Sequence, residues 1–485
     1  MPDHALWNLQ ALRRVEIEAA TRGLDLMQRA ARATAQWVAR HIPSPARLLV
    51  AAGPGNNGGD ALYAALLLMQ AGYTVDILLP QEASSPQTQA ALQAVRQAGG
   101  IALQQLADDY PAPDLIIDGL FGIGLSRPLA ESWVHLITRL NGFCCPCLAL
   151  DCPSGLDAYT GQLQNACIQA SHTLTFLSHK PGLFYACGAD HAGQVELAAL
   201  DCPSALQPDA QGYLNTQDAS PLRRRQDSHK GSYGTLAIIG GAPGMLGAAL
   251  LSGRAALAAG AGKIHVITLD DSLAVDLLCP ELMLHPANRL KAWPDCNVLA
   301  LGPGLGQSPT ARHWLQRALD SALPLVVDAD ALNLLAAEPA ALEQLASREA
   351  ETILTPHPAE AARLLNCNTA QIQADRLQAA QQLADQLDCT IVLKGAGSLI
   401  CCPAQPYLLN TSGGPALSSA GQGDVLTGLI AALLAQGMTG RMAASLAVRV
   451  HGMAGDDYQR EAGGPIGLSA SATALRCAHL LNQLL

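Results

Sequence analysis

Two glycine-rich segments in opposite halves of the chain carry residue types suited to holding negative oxygens: Gly53-Pro54-Gly55-Asn56-Asn57-Gly58-Gly59-Asp60 and Gly421-Gln422-Gly423-Asp424-Val425-Leu426-Thr427-Gly428. Each runs into a helix-forming stretch, Ala61 to Ala71 and Val425 to Ala435, so backbone N–H groups and the positive end of a helix dipole can converge on an anion. Each implies a phosphate-bearing ligand, and two sites on one chain are expected. In the first segment the glycines admit close backbone approach, and the Asn56 and Asn57 carboxamides can bond or coordinate. It has neither the lysine of a P-loop nor the G-x-G-x-x-G spacing of a dinucleotide fingerprint. In the second, the amides of Gly421 to Gly423 can form an anion hole for a transferring phosphoryl group while the Asp424 carboxylate takes a proton from the accepting hydroxyl. The structural alternatives are a tight turn in the first case and a helix-starting aspartate in the second.

Further polar groups fall where apolar runs end. Asp118-Gly119-Leu120-Phe121-Gly122-Ile123-Gly124-Leu125 and Asp151-Cys152-Pro153-Ser154-Gly155-Leu156-Asp157 each place a carboxylate at a strand end. Asp118, Asn57 and Ser154 offer the hard oxygens that alkali and alkaline-earth cations prefer, while Asp151 can accept or donate a proton. Alternatively, both aspartates cap the turns that follow. In the second half Lys394-Gly395-Ala396-Gly397-Ser398 ends a strand with a cation, Thr355-Pro356-His357-Pro358 holds a histidine rigidly, and Leu301-Gly302-Pro303-Gly304-Leu305-Gly306 adds a flexible approach. A strand-end surface lysine and a turn histidine are the plainer readings.

The elements that must position these groups repeat an α/β rhythm. Leu48 to Ala52, Val75 to Leu79, Leu115 to Asp118, Leu148 to Asp151 and Leu174 to Leu177 read as strands between helical patterns, which predicts a parallel sheet with its chemistry at the carboxyl ends. A second series, Leu236 to Gly240, Ile264 to Thr268, Val298 to Leu301, Leu325 to Asp328, Ile353 to Thr355 and Ile391 to Lys394, comes with helices over Ala248 to Gly260 and Gln371 to Leu387. Between the series, Asp201 to Gly231 reads as a linker in which Arg223-Arg224-Arg225 is a solvated run. A chain of 485 residues exceeds the roughly 250–300 that one core supports, so two domains are expected, over residues 1–215 and 225–485.

Composition narrows the function classes. A formal net charge of −11 with 4% aromatics argues against general nucleic-acid affinity, so a phosphate ligand must be held locally. Met1 to Leu24 carries charges throughout, and no later run reaches the ~20 apolar residues of a membrane helix, so a cytoplasmic enzyme is expected. Of the 14 cysteines, the densest group is Cys144, Cys145, Cys147 and Cys152. It lacks a second Cys-x-x-Cys pair with nearby histidines, and its members read as small buried hydrophobes.

The first-half motifs, over about Leu9 to Leu200, resemble the NAD(P)H-hydrate epimerases. That resemblance implies that Asn56, Asn57, Gly58, Gly59, Asp60, Gly122, Ile123, Gly124, Leu125, Ser126, Arg127, Pro128 and Asp151 contact a hydrated nicotinamide dinucleotide, with Asp151 catalytic. It also implies a potassium ion on Asn57, Asp118 and Ser154. Ala61 and Cys152 depart from the family pattern without removing a ligand. From about Asp227 onward the chain resembles the ADP- or ATP-dependent NAD(P)H-hydrate dehydratases of the ribokinase-like superfamily. There the resemblance implies that Lys394, Gly395, Ala396, Gly397, Ser398 and Gly423 bind the adenine nucleotide, which magnesium accompanies. Ala248, Gly304 and His357 would line the substrate site and Asp424 would act on the substrate hydroxyl. Ala359, Ser398, Ala416 and Ala420 stand where that family has other residues; Ala420 bears on the anion hole, because a Cβ there strains the loop if the position needs positive φ. Together the halves resemble the bifunctional NAD(P)H-hydrate repair enzymes: a Rossmann-like domain followed by a ribokinase-like one, ADP favoured over ATP as donor, substrates NADHX and NADPHX, and a homo-oligomer without nucleic-acid or membrane partners. The alternative reading is a small-molecule (vitamin) kinase with a regulatory or scaffold first domain.

Overall fold

Short apolar runs with both faces covered form parallel sheets in both halves of the chain. The computed structural model describes residues 4–125 and 127–485, and the chain divides into two units, Met1–Tyr213 and Leu214–Leu485. The first holds β1 (Ala5–Leu6), β2 (Arg47–Ala52), β3 (Thr74–Leu78), β4 (Ala102–Leu103), β5 (Leu115–Gly119), β6 (Cys147–Leu150), β7 (His172–Phe176) and β8 (Gln194–Ala198). Their order β4-β3-β2-β5-β6-β7-β8 is parallel throughout. The order reverses between β2 and β5, where Ala51 pairs with Asp118 and Ala52 with Gly119. Loops leaving the carboxyl ends of two such strands diverge and open a crevice, which is where ligands bind in open α/β sheets.

After the short β9 (Gly212–Leu214), the second unit runs through β10 (Thr235–Gly240), β11 (Lys263–Thr268), β12 (Met283–Pro286), β13 (Val298–Leu301), β14 (Leu325–Val327), β15 (Thr352–Leu354), β16 (Thr390–Leu393), β17 (Leu399–Cys401) and β18 (Tyr407–Leu409). Their order is β18-β17-β16-β15-β14-β13-β10-β11-β12. From β12 to β16 the pairing is parallel, and the β16-β17-β18 edge is antiparallel. Here the reversal falls between β10 and β13, and the loops beyond them are tied by Gly241 N–H to the Pro303 carbonyl (3.0 Å) and Ala242 N–H to the Gly304 carbonyl (2.7 Å). The helix Gln422–Ala435 buries Val425, Leu426, Leu429, Ile430 and Leu433 in the core of this unit. Each such side chain contributes about 1.5–3 kcal/mol of burial, which fixes the start of that helix at the sheet's carboxyl edge.

The α/β class and the strand series are as expected; several boundaries are not. Both helices begin inside the anion segments, earlier than expected. The first helix is Asn56–Gln70, not Ala61 onward, and the second begins at Gln422. Gly55 and Gly421 are their N-caps and supply no side-chain cap, so the first-turn N–H groups keep their capacity for a ligand. The helix expected over Gln371 to Leu387 breaks into Thr369–Ala374 and Arg376–Leu387, because Asp375 accepts from the Gln378 N–H and caps the second piece. The expected linker contains short ordered pieces at Ser204–Leu206, Gly212–Leu214 and Ser220–Leu222. Its arginine run is exposed, and Arg223 holds the Leu485 carbonyl at 2.8 Å. Cys147 and Cys152 are buried as expected, but Cys144 is exposed.

Candidate functional sites

In the first unit a cavity of about 900 Å³ lies at the β2–β5 reversal. Asn56, Asn57 and Asp60 from the helix start, Gly122, Ile123, Gly124, Leu125, Arg127 and Pro128 from the loop after β5, and Asp151 all line it. Ser126 lies outside the described residues. Gly58 and Gly59 do not line the cavity; they let the helix pack. A Cβ on Gly58 would collide with the Gly53 carbonyl, and one on Gly59 would lie 2.6 Å from the Met27 sulfur.

Asp118 is fully buried behind the cavity wall. Its carboxylate accepts from the Ser154 hydroxyl (2.6 Å), the Ser154 N–H (2.8 Å) and the Leu120 N–H (3.2 Å). Burial pushes its pKa up to about 6, against the pull of those hydrogen bonds. Asn57 donates to the Leu150 carbonyl at 3.1 Å, while its Oδ1 is buried without a hydrogen-bond partner. A carboxylate, a serine hydroxyl and a spare amide oxygen among three adjacent strand ends make a donor set of hard oxygens, and an orphaned buried oxygen needs a partner.

Asp151 leaves β6 in the left-handed region, at φ 66°. Its N–H donates to the Leu174 carbonyl (2.8 Å) and its Oδ1 accepts from the Phe176 N–H (3.1 Å). The same oxygen takes an ion pair from Lys180, whose side chain is 0% exposed. Lys180 also donates to Thr175 Oγ1 (2.9 Å) and the Phe176 carbonyl (2.7 Å). Arg13 and Glu16 reach the same cavity from the helix Leu9–Thr21. Sequence reasoning missed all three. The only available signal was for Lys180, a cation just past a strand end; Arg13 and Glu16 lie on the exposed side of an ordinary amphipathic helix.

In the second unit the strand ends converge on one charged chain. Lys394 donates to Asp328 at 2.7 Å and lies 3.8 Å from Glu360; at 19% exposure it is not a surface lysine. Burial alone would lower its pKa, but Asp328, Glu360 and Asp424 together hold it above the usual value. Asp328 also accepts from the Thr355 and Thr427 hydroxyls, both at 2.8 Å. A Cβ built on Gly423 would lie 3.6 Å from the Lys394 amine and 3.7 Å from Asp328, so the ion pair sits directly under the anion hole. Asp424 follows at the third position of the helix, and its pKa is raised to about 6 by burial and then by Asp328. His357 caps the helix Pro358–Leu364: its Nδ1 accepts from the N–H groups of Ala359 and Glu360, so Nε2 carries the proton and donates to Glu360 at 3.2 Å. Burial and then Lys394 lower its pKa, whereas Glu360, driven by burial, rises to about 7.

Gly395, Ala396, Gly397 and Ser398 form the turn after β16. The buried Arg376 underpins it, with Nη2 3.4 Å from the Lys394 and Gly397 carbonyls. Gly304, at φ 59°, is packed so that a Cβ there would lie 3.1 Å from Ala248 Cβ. Positive φ at the anion loop is taken by Gly421 (φ 87°), while Ala420 is not among the positive-φ residues. The alanine therefore imposes no backbone strain. Sequence reasoning did not assign Asp328 and Glu360 to the site, although both carried signals: one ends a strand, the other completes the His-x-x-Glu spacing of a capping box.

Two α/β units, each with a helix N-terminus that lacks a side-chain cap and with titratable groups at its strand ends, define an α/β enzyme with a candidate site in each unit. A family model described as NAD(P)H-hydrate dehydratase matches residues 236–476, and one described as YjeF-related protein N-terminus matches 23–182. The bifunctional NAD(P)H-hydrate repair enzyme Nnr of Escherichia coli is 38% identical over 93% of this chain and 89% of its own length. The bifunctional NAD(P)H-hydrate repair enzyme of Leishmania major is 36% identical over 99% of this chain and 94% of its own. The crystal structure of the ADP/ATP-dependent NAD(P)H-hydrate dehydratase from Bacillus subtilis, co-crystallised with ATP and Mg²⁺, is 29% identical, with a TM-score of 0.48, over 54% of this chain and 94% of that one. The chain belongs to the bifunctional NAD(P)H-hydrate repair enzymes. Among the described residues no helix is long and apolar enough to cross a membrane.

Proposed function

We propose that the chain repairs hydrated NADH and NADPH, the first unit interconverting the two epimers and the second dehydrating one of them at the expense of an adenine nucleotide. Adding water across the enamine double bond of the dihydronicotinamide ring leaves a hydroxyl on the carbon next to the ring nitrogen, in either configuration. A stereospecific dehydratase needs an epimerase beside it, and a chain with two unlike sites supplies both. The observation that carries the reading is the second anion hole: uncapped amides at Gly421 to Gly423, the Lys394–Asp328 pair beneath them and a carboxyl at Asp424 whose pKa is raised to about 6 by burial.

In the second unit Asp424 accepts the proton of the substrate hydroxyl as it attacks the terminal phosphoryl group. The Gly421 to Gly423 amides take up the charge that develops there. Phosphate then leaves far more readily than hydroxide, and the double bond re-forms. Lys394 and the Gly395 to Ser398 turn hold the nucleotide, Ala248, Gly304 and His357 the substrate. ADP is the donor we favour, and magnesium enters with its phosphates.

In the first unit Asn56, Asn57, Asp60, the loop from Gly122 to Pro128 and Asp151 hold the dinucleotide. Asn57, Asp118 and Ser154 would hold a potassium ion, which supplies positive charge opposite the buried Asp118 and steadies the strand-end loops. A cytoplasmic homo-oligomer completes the reading. A vitamin kinase of similar architecture is not favoured, since it leaves the first cavity unused.

The test is a mixture of both NADPHX epimers given ADP or ATP with magnesium and potassium, followed by the return of dihydronicotinamide absorbance. Full recovery is expected. Recovery that stalls with one epimer left sinks the epimerase half, and a stable phosphorylated product with no recovery sinks the dehydratase half.

A further inference from the structure

The cavity of the first unit does not end at its carboxylates. A second cavity of about 450 Å³ runs under Leu12, Leu24, Met27 and Phe176 and shares Glu16, Asn56, Asp60 and Asp151 with the first. Those residues form a wall that a bound ring can face from two directions. Two carboxyls of that wall are in opposite circumstances. Asp151 is fixed: its Oδ1 meets the fully buried Lys180 ammonium, whose other donors are spent on Thr175 and the Phe176 carbonyl. Asp60 is loose: among the described residues no donor hydrogen-bonds to its carboxyl. Glu16, the third, keeps part of its surface in solvent.

We propose that Asp151, ion-paired with the buried Lys180, is the proton acceptor of the epimerase cleft and that Asp60 is its proton-donating counterpart. The assignment rests on the epimerase reading above. Configuration at the carbinol carbon is lost if its bond to the ring nitrogen opens. Asp151 takes the hydroxyl proton, the O–H electron pair becomes the C=O π bond, the C–N pair passes to nitrogen, and nitrogen takes the Asp60 proton. The aldehyde turns about its single C–C bond. Nitrogen then adds to the other face, returning its proton to Asp60 while the oxygen recovers the one on Asp151. Every proton is restored, and neither water nor a redox partner is consumed.

The electrostatics agree. Burial, then the charges of Asp151, Glu16 and Asp25, push the Asp60 carboxyl well above its ordinary range. Burial and then Asp151 raise Glu16, against Arg13 and Lys180. These are the titratable groups facing Asp60 from the helices Leu9–Thr21 and Leu26–His41 and from the strand ends. Lys180 touches no substrate; it is a positioning residue acting through Asp151.

The test uses the full chain, with conversion of the isolated epimer that the dehydratase rejects read through the dehydratase, which is held in excess. The donor must be protonated and the acceptor ionised, so wild-type epimerisation should fall at both pH extremes. Asp60→Asn should lower kcat by about 10²–10⁴-fold with little change in KM and remove the fall at high pH. Asp60→Glu should recover part of the rate, whereas Glu18→Gln, at an exposed position of the helix Leu9–Thr21 that lines neither cavity, should stay within a few-fold of wild type. Lys180→Gln should lower kcat, and Lys180→Arg, which keeps the cation beside Asp151, should restore part of it, a rescue that loss of packing alone does not produce. An Asp60→Asn protein that epimerises at an undiminished rate, or a Glu16→Gln protein that alone loses the high-pH limb, overturns this assignment and leaves the epimerase reading standing. A wild type that leaves the rejected epimer untouched while dehydrating the other overturns both.

Discussion

Lys394 donates to Asp328 at 2.7 Å, and Asp328 in turn accepts from the hydroxyls of Thr355 and Thr427. One carboxylate thus ties the ends of β14, β15 and β16 to the helix that begins at the anion hole. At 2% exposure it cannot lose its cation cheaply, because removing one partner of a buried pair costs about 3–5 kcal/mol. Lys394→Met should therefore destabilise the second unit by roughly that amount and raise the nucleotide KM at least tenfold. Denaturant unfolding and dehydratase kinetics at varied nucleotide concentration check it; unchanged midpoint and KM would show that the pair positions nothing.

Asp424 sets a second expectation. A base acts when ionised, and this carboxyl is raised to about 6 by burial and by Asp328. The dehydration rate should fall as pH drops through that value and level off above it. Asp424→Asn should lower the rate by about 10²–10⁴-fold and abolish the limb, with epimerisation unaffected. A variant that keeps the limb would assign it to another group, Glu360 being the next candidate at about 7.

The parallel sheets, most strand positions and the strand-end aspartates were legible in the sequence because buried parallel strands are continuous apolar runs, and a polar residue that ends one is conspicuous. Asp118, Asp151 and Lys394 stood out for that reason. The antiparallel edge β17-β18 and the short β12 and β4 did not, since a run of two to four residues carries no period. The beginnings of the helices at Asn56 and Gln422 were hidden by glycine, which reads as a loop; here it is needed for close packing at Gly58 and for positive φ at Gly421. Lys180 and Glu360 could have been suspected from their spacing. Glu16 and Arg13 could not, because only the tertiary arrangement brings that helix to the cavity.

A cation at the first site has a readout of its own. Asn57 Oδ1 is buried without a partner and Asp118 is buried among hydrogen-bond donors. Potassium binding to the folded chain should raise its unfolding temperature in a concentration-dependent way, more than lithium does, because the larger ion gives up its water more readily. Asn57→Ala should remove the ion dependence without touching dehydration. Equal melting curves in potassium and lithium chloride at matched ionic strength would refute a specific site.

The anion hole offers a pair of substitutions with opposite expectations. Gly421 has φ 87°, and a Cβ there would lie 2.7 Å from Leu251 Cδ1, so Gly421→Ala combines a backbone cost of about 1–2 kcal/mol with a clash beside the loop. Ala420 is outside the positive-φ set and gains nothing from losing its methyl group. Gly421→Ala should raise the nucleotide KM several-fold or more, whereas Ala420→Gly should leave it within about twofold and slightly lower stability by freeing the unfolded chain. Steady-state dehydration with ADP and with ATP measures both. A large gain in affinity from Ala420→Gly would mean that the bound loop needs a backbone state at residue 420 that the alanine resists, and that the hole is reshaped when the nucleotide arrives.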